Sequence, residues 1–233
     1  MRRRLFIPSS RRHRTLTLAL LALLLAGCTT LKQCAYGGFN RDTWQQPEKV
    51  IQSLQLRPGA AVADLGSGGG YFTFRLAKAV GPAGKVYAVD IDQDINAALN
   101  ERAKNEQAEN IEVILAQPYD PQLPAAGVDL IFTSNTYHHI EDRVRYFNNL
   151  RKYLRPGGRI AIIDFDRRAW LEGLWRHYSA PEFIKREMEQ AGYRLQQELD
   201  FLDRQSFLIF APVAQLPSTG TPSTGGAAPT NAH

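Results

Sequence analysis

Short apolar runs alternate through the middle of the chain with stretches whose apolar residues recur at helical spacing. Ala61–Leu65, Lys85–Val89, Ile111–Ala116, Val128–Thr133 and Arg159–Phe165 read as strands, because brief runs rich in branched residues between turn signals suit strands covered on both faces. Helical spacing between them predicts a helix from Tyr71 to Val80, stopped by Gly81-Pro82, a polar helix over Gln93–Gln107, and a third over Asp142–Leu154. A short helix over Pro47–Leu54 comes before the first strand, with proline in its first turn and Val50, Ile51 and Leu54 on one face. Arg57-Pro58-Gly59 and Arg155-Pro156-Gly157-Gly158 turn the chain into the first and fifth strands. Gln117–Gly127 carries Pro118, Pro121 and Pro124 and reads as a loop.

Strands alternating with helices predict a three-layer α/β domain around a parallel sheet. The end of the pattern differs. Ser179 is placed to cap a helix with Pro181 near its first position, running to Gly192. Two strands then follow with no helix between them, Tyr193–Phe201 and Gln205–Ala211. That hairpin puts an antiparallel strand into an otherwise parallel, seven-stranded sheet. Residues 213–233 are rich in Pro, Ser, Thr, Gly and Ala, with P-S-T-G repeated, and are expected to be disordered.

The stretch Val62–Phe74, V-A-D-L-G-S-G-G-G-Y-F-T-F, joins the first strand to its helix and carries glycine at the alternate positions 66, 68 and 70. Glycine serves where torsions are unusual or where a ligand approaches with no Cβ in the way. A dinucleotide turn asks for G-x-G-x-x-G/A. Counted from Gly66 the last small position holds Tyr71, and counted from Gly68 it holds Thr73. The spacing is instead Asp-x-Gly-x-Gly-x-Gly, with Asp64 suited to a cationic or amino-acid ligand and ill suited to a pyrophosphate.

This stretch resembles motif I of the class I S-adenosylmethionine-dependent methyltransferases. The resemblance extends over residues 41–211 and takes in Asp90, the segment Ser134–His139 and Pro156-Gly157-Gly158. It implies a Rossmann-like class I fold, S-adenosylmethionine as cofactor, and methyl transfer to a small-molecule acceptor that it does not identify. It further implies that Asp64 and the backbone of Gly66, Ser67, Gly68 and Gly70 hold the methionine end. Asp90, at the end of the second strand, would take both ribose hydroxyls, and Ile91 would lie on the adenine. Gln117 stands where the family often has an acid near the adenine amino group. Tyr71 either closes over the cofactor or packs, and Asn135 belongs to the same candidate site. Strand four runs into Ser134-Asn135-Thr136-Tyr137-His138-His139, where the methyl group meets its acceptor. His138 and His139 are the candidate catalytic residues, as bases toward the acceptor proton, with a loop-shaping role as the alternative. No metal is expected, because adjacent histidines on a short loop rarely converge on one ion. Arg41 and Trp44 form either part of a lid or plain surface packing. Trp170, Trp175, His177 and Tyr178 either line an acceptor pocket or belong to an amphipathic helix.

Charge alters the picture only at the start of the chain. The 233 residues carry a formal charge of +5, which invites a nucleic-acid reading. Six arginines lie before the first apolar run, and leaving out residues 1–27 leaves 22 basic residues against 23 acidic. No phosphate-tracking surface remains, so no nucleic-acid partner is expected. Residues 1–27 read as a signal peptide: a basic region, the apolar run Leu16–Ala26, and Leu25-Ala26-Gly27-Cys28, similar to a bacterial lipobox. Lipidation of Cys28, a tether over residues 28–40 and a domain over 41–212 follow. The anchor implies a membrane partner and an envelope location, on the periplasmic face of the outer membrane where there is one. With Cys28 acylated, Cys34 has no intrachain disulfide partner. The rival functions are a lipid-anchored module that binds S-adenosylmethionine or S-adenosylhomocysteine without catalysis, and an NAD-dependent oxidoreductase, disfavoured by the glycine spacing and the final hairpin. The oligomeric state is not written in the sequence.

Overall fold

The computed structural model describes residues 41–169 and 178–213. The expected signal peptide, Cys28, the tether with Cys34, the residues Trp170, Trp175 and His177, and the tail from residue 214 lie outside the described residues. Helices α1 (Arg41–Gln45) and α2 (Pro47–Ser53) lead into β1 (Ala61–Leu65), followed by α3 (Thr73–Val80), β2 (Lys85–Asp90), α4 (Gln93–Asn105) and β3 (Ile111–Leu115). Strand β4 (Val128–Ser134), a 3-10 turn over Tyr137–His139, α5 (Arg143–Leu150), β5 (Leu154–Phe165), α6 (Pro181–Gln190), β6 (Tyr193–Leu199) and β7 (Gln205–Pro212) complete it.

The seven strands lie in the order β3-β2-β1-β4-β5-β7-β6. Strands β1 to β5 pair parallel, and β7 inserts antiparallel beside β5 and pairs antiparallel with β6. The expected α/β sheet with its terminal hairpin is therefore present. All five residues of β1 are buried, as a central strand covered on both faces requires. One face carries Val62, Val86, Leu130, Ile163 and Ile209 against Val50, Leu76 and Val80 of the first helices. The other carries Ile131, Ile160, Ile162 and Leu208 against Phe147, Ile184 and Met188 of α5 and α6. Edge strand β6 is exposed along most of its length, and its register with β7 shifts between Leu195 and Gln197.

Local details depart from the sequence expectations. The Arg155–Gly158 turn is part of β5: Val128 pairs with Leu154 and Leu130 with Arg159, so two steps on β4 face five on β5. Gly157 takes φ +80° within this bulge. Ser179 is not the cap of α6. The cap position is Ala180, which makes no side-chain cap bond, and the Ser179 N–H instead donates to the Phe165 carbonyl at 2.9 Å. The helix after the glycines starts at Thr73 rather than Tyr71. Val213, one residue past the expected domain end, is tied back by its N–H to Gly192 and by its carbonyl to Arg151.

The glycine turn and the loop after β4 are packed together at one point. A Cβ on Gly66, at φ +77°, would run into the Thr136 side chain, whereas one on Gly69 would meet nothing within 4 Å. Gly66→Ala should therefore lower stability by about 1–3 kcal/mol from backbone strain alone, with the clash adding to it. Gly69→Ala should be near neutral, and urea melts of the two variants check the contrast.

Candidate functional site

The carboxyl ends of β1, β2, β4 and β5 meet at the edge where open parallel sheets bind their ligands. The turn after β1 is fixed by its own amides. Gly66 and Ser67 both donate N–H bonds to the Val89 carbonyl, at 2.8 and 3.1 Å. Gly68 donates to Asp90 Oδ2 at 2.9 Å. These three successive N–H groups are engaged by the end of β2, so they are not available as a cradle for a pyrophosphate. Gly66 and Gly70 admit protein rather than ligand. A Cβ on Gly70 would collide with Leu99 and Phe74, as one on Gly66 would with Thr136. The φ values of the two glycines, +77° and +81°, are the unusual torsions for which glycine serves.

Asp90 is the receiving group of the turn. Its Oδ2 takes the Gly68 N–H, and its Oδ1 takes the Asp92 N–H at 3.0 Å. A carboxylate offers about four acceptor sites, so each oxygen can accept one further hydrogen bond. Two acceptors in fixed orientation match the two hydroxyls of a ribose. Beside them Ile91 is 67% exposed, an apolar side chain with its face in solvent and placed for an adenine ring. Gln117 is exposed two residues beyond β3, with its N–H on the Asp120 carbonyl.

Asp64 is buried at the end of β1 and accepts a 2.6 Å bond from the Thr73 hydroxyl. Burial pushes its pKa up to about 6; the Thr73 bond and Arg41 oppose the shift, and Asp90 adds to it. Such a carboxylate favours the arrival of a cation. Ser67 Oγ is buried with no partner among the described residues. These residues fit the cofactor that the sequence pattern implies.

Helix α1 lies over this edge. The Arg41 guanidinium is 3.8 Å from the centre of the Tyr71 ring, Tyr71 donates to Asp42 at 2.5 Å, and Arg75 reaches the same Asp42 at 3.2 Å. Gln45 donates to Ser134 Oγ at 2.8 Å, and Trp44 packs on Phe165 with ring centres 5.6 Å apart. Tyr71 thus holds α1 in place, and Arg41 and Trp44 sit over the strand ends. Asn135, with φ +58°, accepts the Gln205 amide through its side-chain carbonyl at 2.5 Å.

The two histidines are separated by their surroundings. His138 is largely buried, and its Nδ1 lies 2.7 Å from Oδ1 of Asp164, whose side chain is fully buried. His139 is exposed, with its ring centre 4.0 Å from that of His138. The 3-10 turn carrying both is fastened to α6: Tyr137 donates to Glu187 Oε2 at 2.6 Å, and Arg143 forks onto the same carboxylate at 2.8 and 3.0 Å. An open, polar depression of about 630 Å³ lies beside them, lined by His138, His139, Glu141, Asp142, Arg143 and Glu187 among others. Sequence reasoning missed Asp164. The signal was present, since it is the one acid of its strand, follows the apolar run Ile160–Ile163 and stands at the ligand-binding end.

The comparisons with known proteins decide the family. The profile of a methyltransferase domain matches residues 56–200.

The chain belongs to the methyltransferase domain family.

A solved S-adenosylmethionine-dependent methyltransferase from Aquifex aeolicus superposes with a TM-score of 0.72 at 25% identity, covering 81% of this chain and 98% of that one. The arsenite methyltransferase of Halobacterium salinarum is 33% identical over 109 residues, 47% of this chain and 28% of that protein. The ubiquinone/menaquinone biosynthesis C-methyltransferase of Vibrio parahaemolyticus is 28% identical over 148 residues, 63% of this chain and 56% of that protein. The chain thus spans between about a quarter and just over half of the length of these curated relatives. The cofactor of the methyltransferase domain is S-adenosylmethionine.

The burial of Asp64 has a measurable pH signature. Its carboxyl has an ordinary pKa of 3.8 and a folded-state value of about 6, so between these values the folded protein holds more protons than the unfolded chain. Stability from this group should therefore rise as pH falls from about 6 to about 4, by about 3 kcal/mol in all. Asp64→Asn should remove that gain. The difference between wild-type and variant unfolding free energies, measured by urea titration from pH 4 to 7, should change with this slope; a flat difference would show that the carboxylate is not desolvated.

Proposed function

We propose that this chain transfers the methyl group of S-adenosylmethionine to a small organic acceptor that loses a proton in the reaction, and that His138 takes that proton. The observation that carries the reading is the buried 2.7 Å contact between His138 and Asp164 beside the polar depression. The cofactor supplies an activated methyl group with its leaving group built in, and the protein aligns the acceptor and manages its proton. Asp90 and Ile91 hold the ribose and adenine, Asp64 the cationic end, and helix α1 limits the entry of water. His139, exposed and tilted against His138, belongs to the acceptor mouth.

The names of the relatives offer two kinds of acceptor, arsenite and quinone precursors. Arsenic(III) is soft and calls for thiolate ligands. The only cysteines of the chain, Cys28 and Cys34, both precede the domain. A histidine–carboxylate pair instead suits a phenolic or carbon acid. The reading therefore favours a hydroxylated aromatic acceptor over arsenite.

The same proposal places the domain on a membrane through a lipid on Cys28, supported by the basic start, the apolar run and the Leu25-Ala26-Gly27-Cys28 junction. Intact mass of the membrane-extracted protein should show loss of residues 1–27 with added lipid, and Cys28→Ala should abolish the lipid. An intact Met1 in the native host overturns the anchor.

Titration calorimetry with S-adenosylhomocysteine tests the cofactor half. Asp90→Ala should weaken binding by about 1.5–3 kcal/mol through loss of charge-assisted hydrogen bonds. Unchanged affinity in a folded variant would mean that the ribose is held elsewhere. Transfer of a radiolabelled methyl group to a naphthohydroquinone, with arsenite in a parallel assay, tests the reaction. Tight cofactor binding with no transfer to any acceptor in a metabolite extract would make the domain a binding module.

A further inference from the structure

Asp164 belongs to none of the motifs read from the sequence, yet the fold brings it to the histidine loop. It points to the same face of the sheet as Ile160 and Ile162, and the β5–β7 register sets Ser206 directly opposite. Thr133 of β4, in register with Ile162, points to that face as well. The hydroxyls of Ser206 and Thr133 and the Oδ2 of Asp164 are buried, and none has a partner among the described residues. Directly opposed residues hold their Cβ atoms about 4.5–5.5 Å apart, so the Ser206 hydroxyl is close enough to turn toward the carboxylate or share a water with it.

A carboxylate in this position is costly unless a donor satisfies it. His138 is the group in reach, with Nδ1 2.7 Å from Oδ1. An ionised carboxylate only accepts, and a contact to it requires the imidazole proton on Nδ1. A loop anchor by itself would not need an imidazole, because an amide side chain could make the same bond. What the imidazole adds is a second nitrogen whose protonation state is set by the first.

We propose that Asp164 is a positioning residue: it fixes the His138 proton on Nδ1, so that Nε2 is the nitrogen that takes the acceptor's proton. The proposal rests on the role given to His138 above. In the step, the acceptor X–H bond breaks, its electron pair stays on X for bonding to the incoming methyl group, and the proton forms a new N–H bond at Nε2. The Nδ1 proton stays where it is, and the imidazolium formed lies against the Asp164 carboxylate.

The test is the tautomer of His138 in the full-length chain, read by two-bond ¹⁵N–¹H correlation with His138→Gln to assign the signal. The wild type should show the Nδ1–H form. Asp164→Asn keeps the shape but offers an N–H, and should shift His138 toward the Nε2–H form with S-adenosylhomocysteine affinity unchanged. Should Asp164→Asn fail to fold, Asp164→Glu provides the second arm and should retain the Nδ1–H form. A wild-type Nε2–H form, or a tautomer indifferent to Asp164→Asn, overturns the proposal.

Turnover on the naphthohydroquinone separates the two readings. A loss of about 10²–10⁴-fold in kcat for both His138→Ala and Asp164→Asn, with little change in KM, supports the pair. A loss for His138→Ala alone overturns the positioning role and leaves the base in place. No loss for either variant overturns the base and the proposal built on it.

Discussion

Everything at the ligand edge depends on the hydrogen bonding between the turn after β1 and the end of β2. Two amides on the Val89 carbonyl and one on Asp90 fix the turn with groups that a phosphate-binding loop would turn outward. This single arrangement sets the electrostatics of the site. With its amides engaged, the turn presents no row of open N–H groups; the carboxylates Asp64 and Asp90 flank it, with Arg41 near Asp64 and Arg102 on the Gly69 carbonyl as the opposing charges. A cationic ligand is thereby favoured over an anionic one. The acid in the motif and the amide geometry thus give the same answer from two directions.

Three aspartates stand at three strand ends, and their environments divide the work among them. Asp90 is half-buried, with acceptor capacity remaining on both oxygens. Asp64 is buried beside a hydroxyl and held partly in check by Arg41. Asp164 is buried deepest, against an imidazole. The same side chain can serve as a hydrogen-bond acceptor, an electrostatic well or a rein on a histidine, depending on what water it has lost and which donor replaced it.

The layer order and most strand positions were legible because the strands of the parallel part are short runs rich in apolar residues between turn signals, and helices fill the gaps. The bulge at Arg155–Gly158 was not, because Pro and Gly look the same in a turn and in a strand that has left its register. Ser179 misled for a related reason: serine before a proline signals a cap, yet here its amide found a strand carbonyl. In the site, the acids at the ends of β1 and β2 were legible from local spacing. The dyad was not, since His138 and Asp164 lie 26 residues apart and nothing local announces the meeting. The seat of α1 was harder still, as Gln45 reaches a partner 89 residues away. The superposed methyltransferase from Aquifex aeolicus agrees with the sheet part of that reading.

Edge strand β6, exposed and out of register with its neighbour at Leu195, bears on how the protein behaves in company. An edge presents a row of unpaired amides and carbonyls that any passing strand can extend. Here Arg194, Gln196, Gln197 and Glu198 crowd that row with polar and charged side chains, and the register shift bends its hydrogen-bonding line. A second copy seeking to continue the sheet would have to bury these charges and straighten the bend. The strand that completes the fold is thus also built to end it, and sheet extension past β6 is an unfavourable route to assembly.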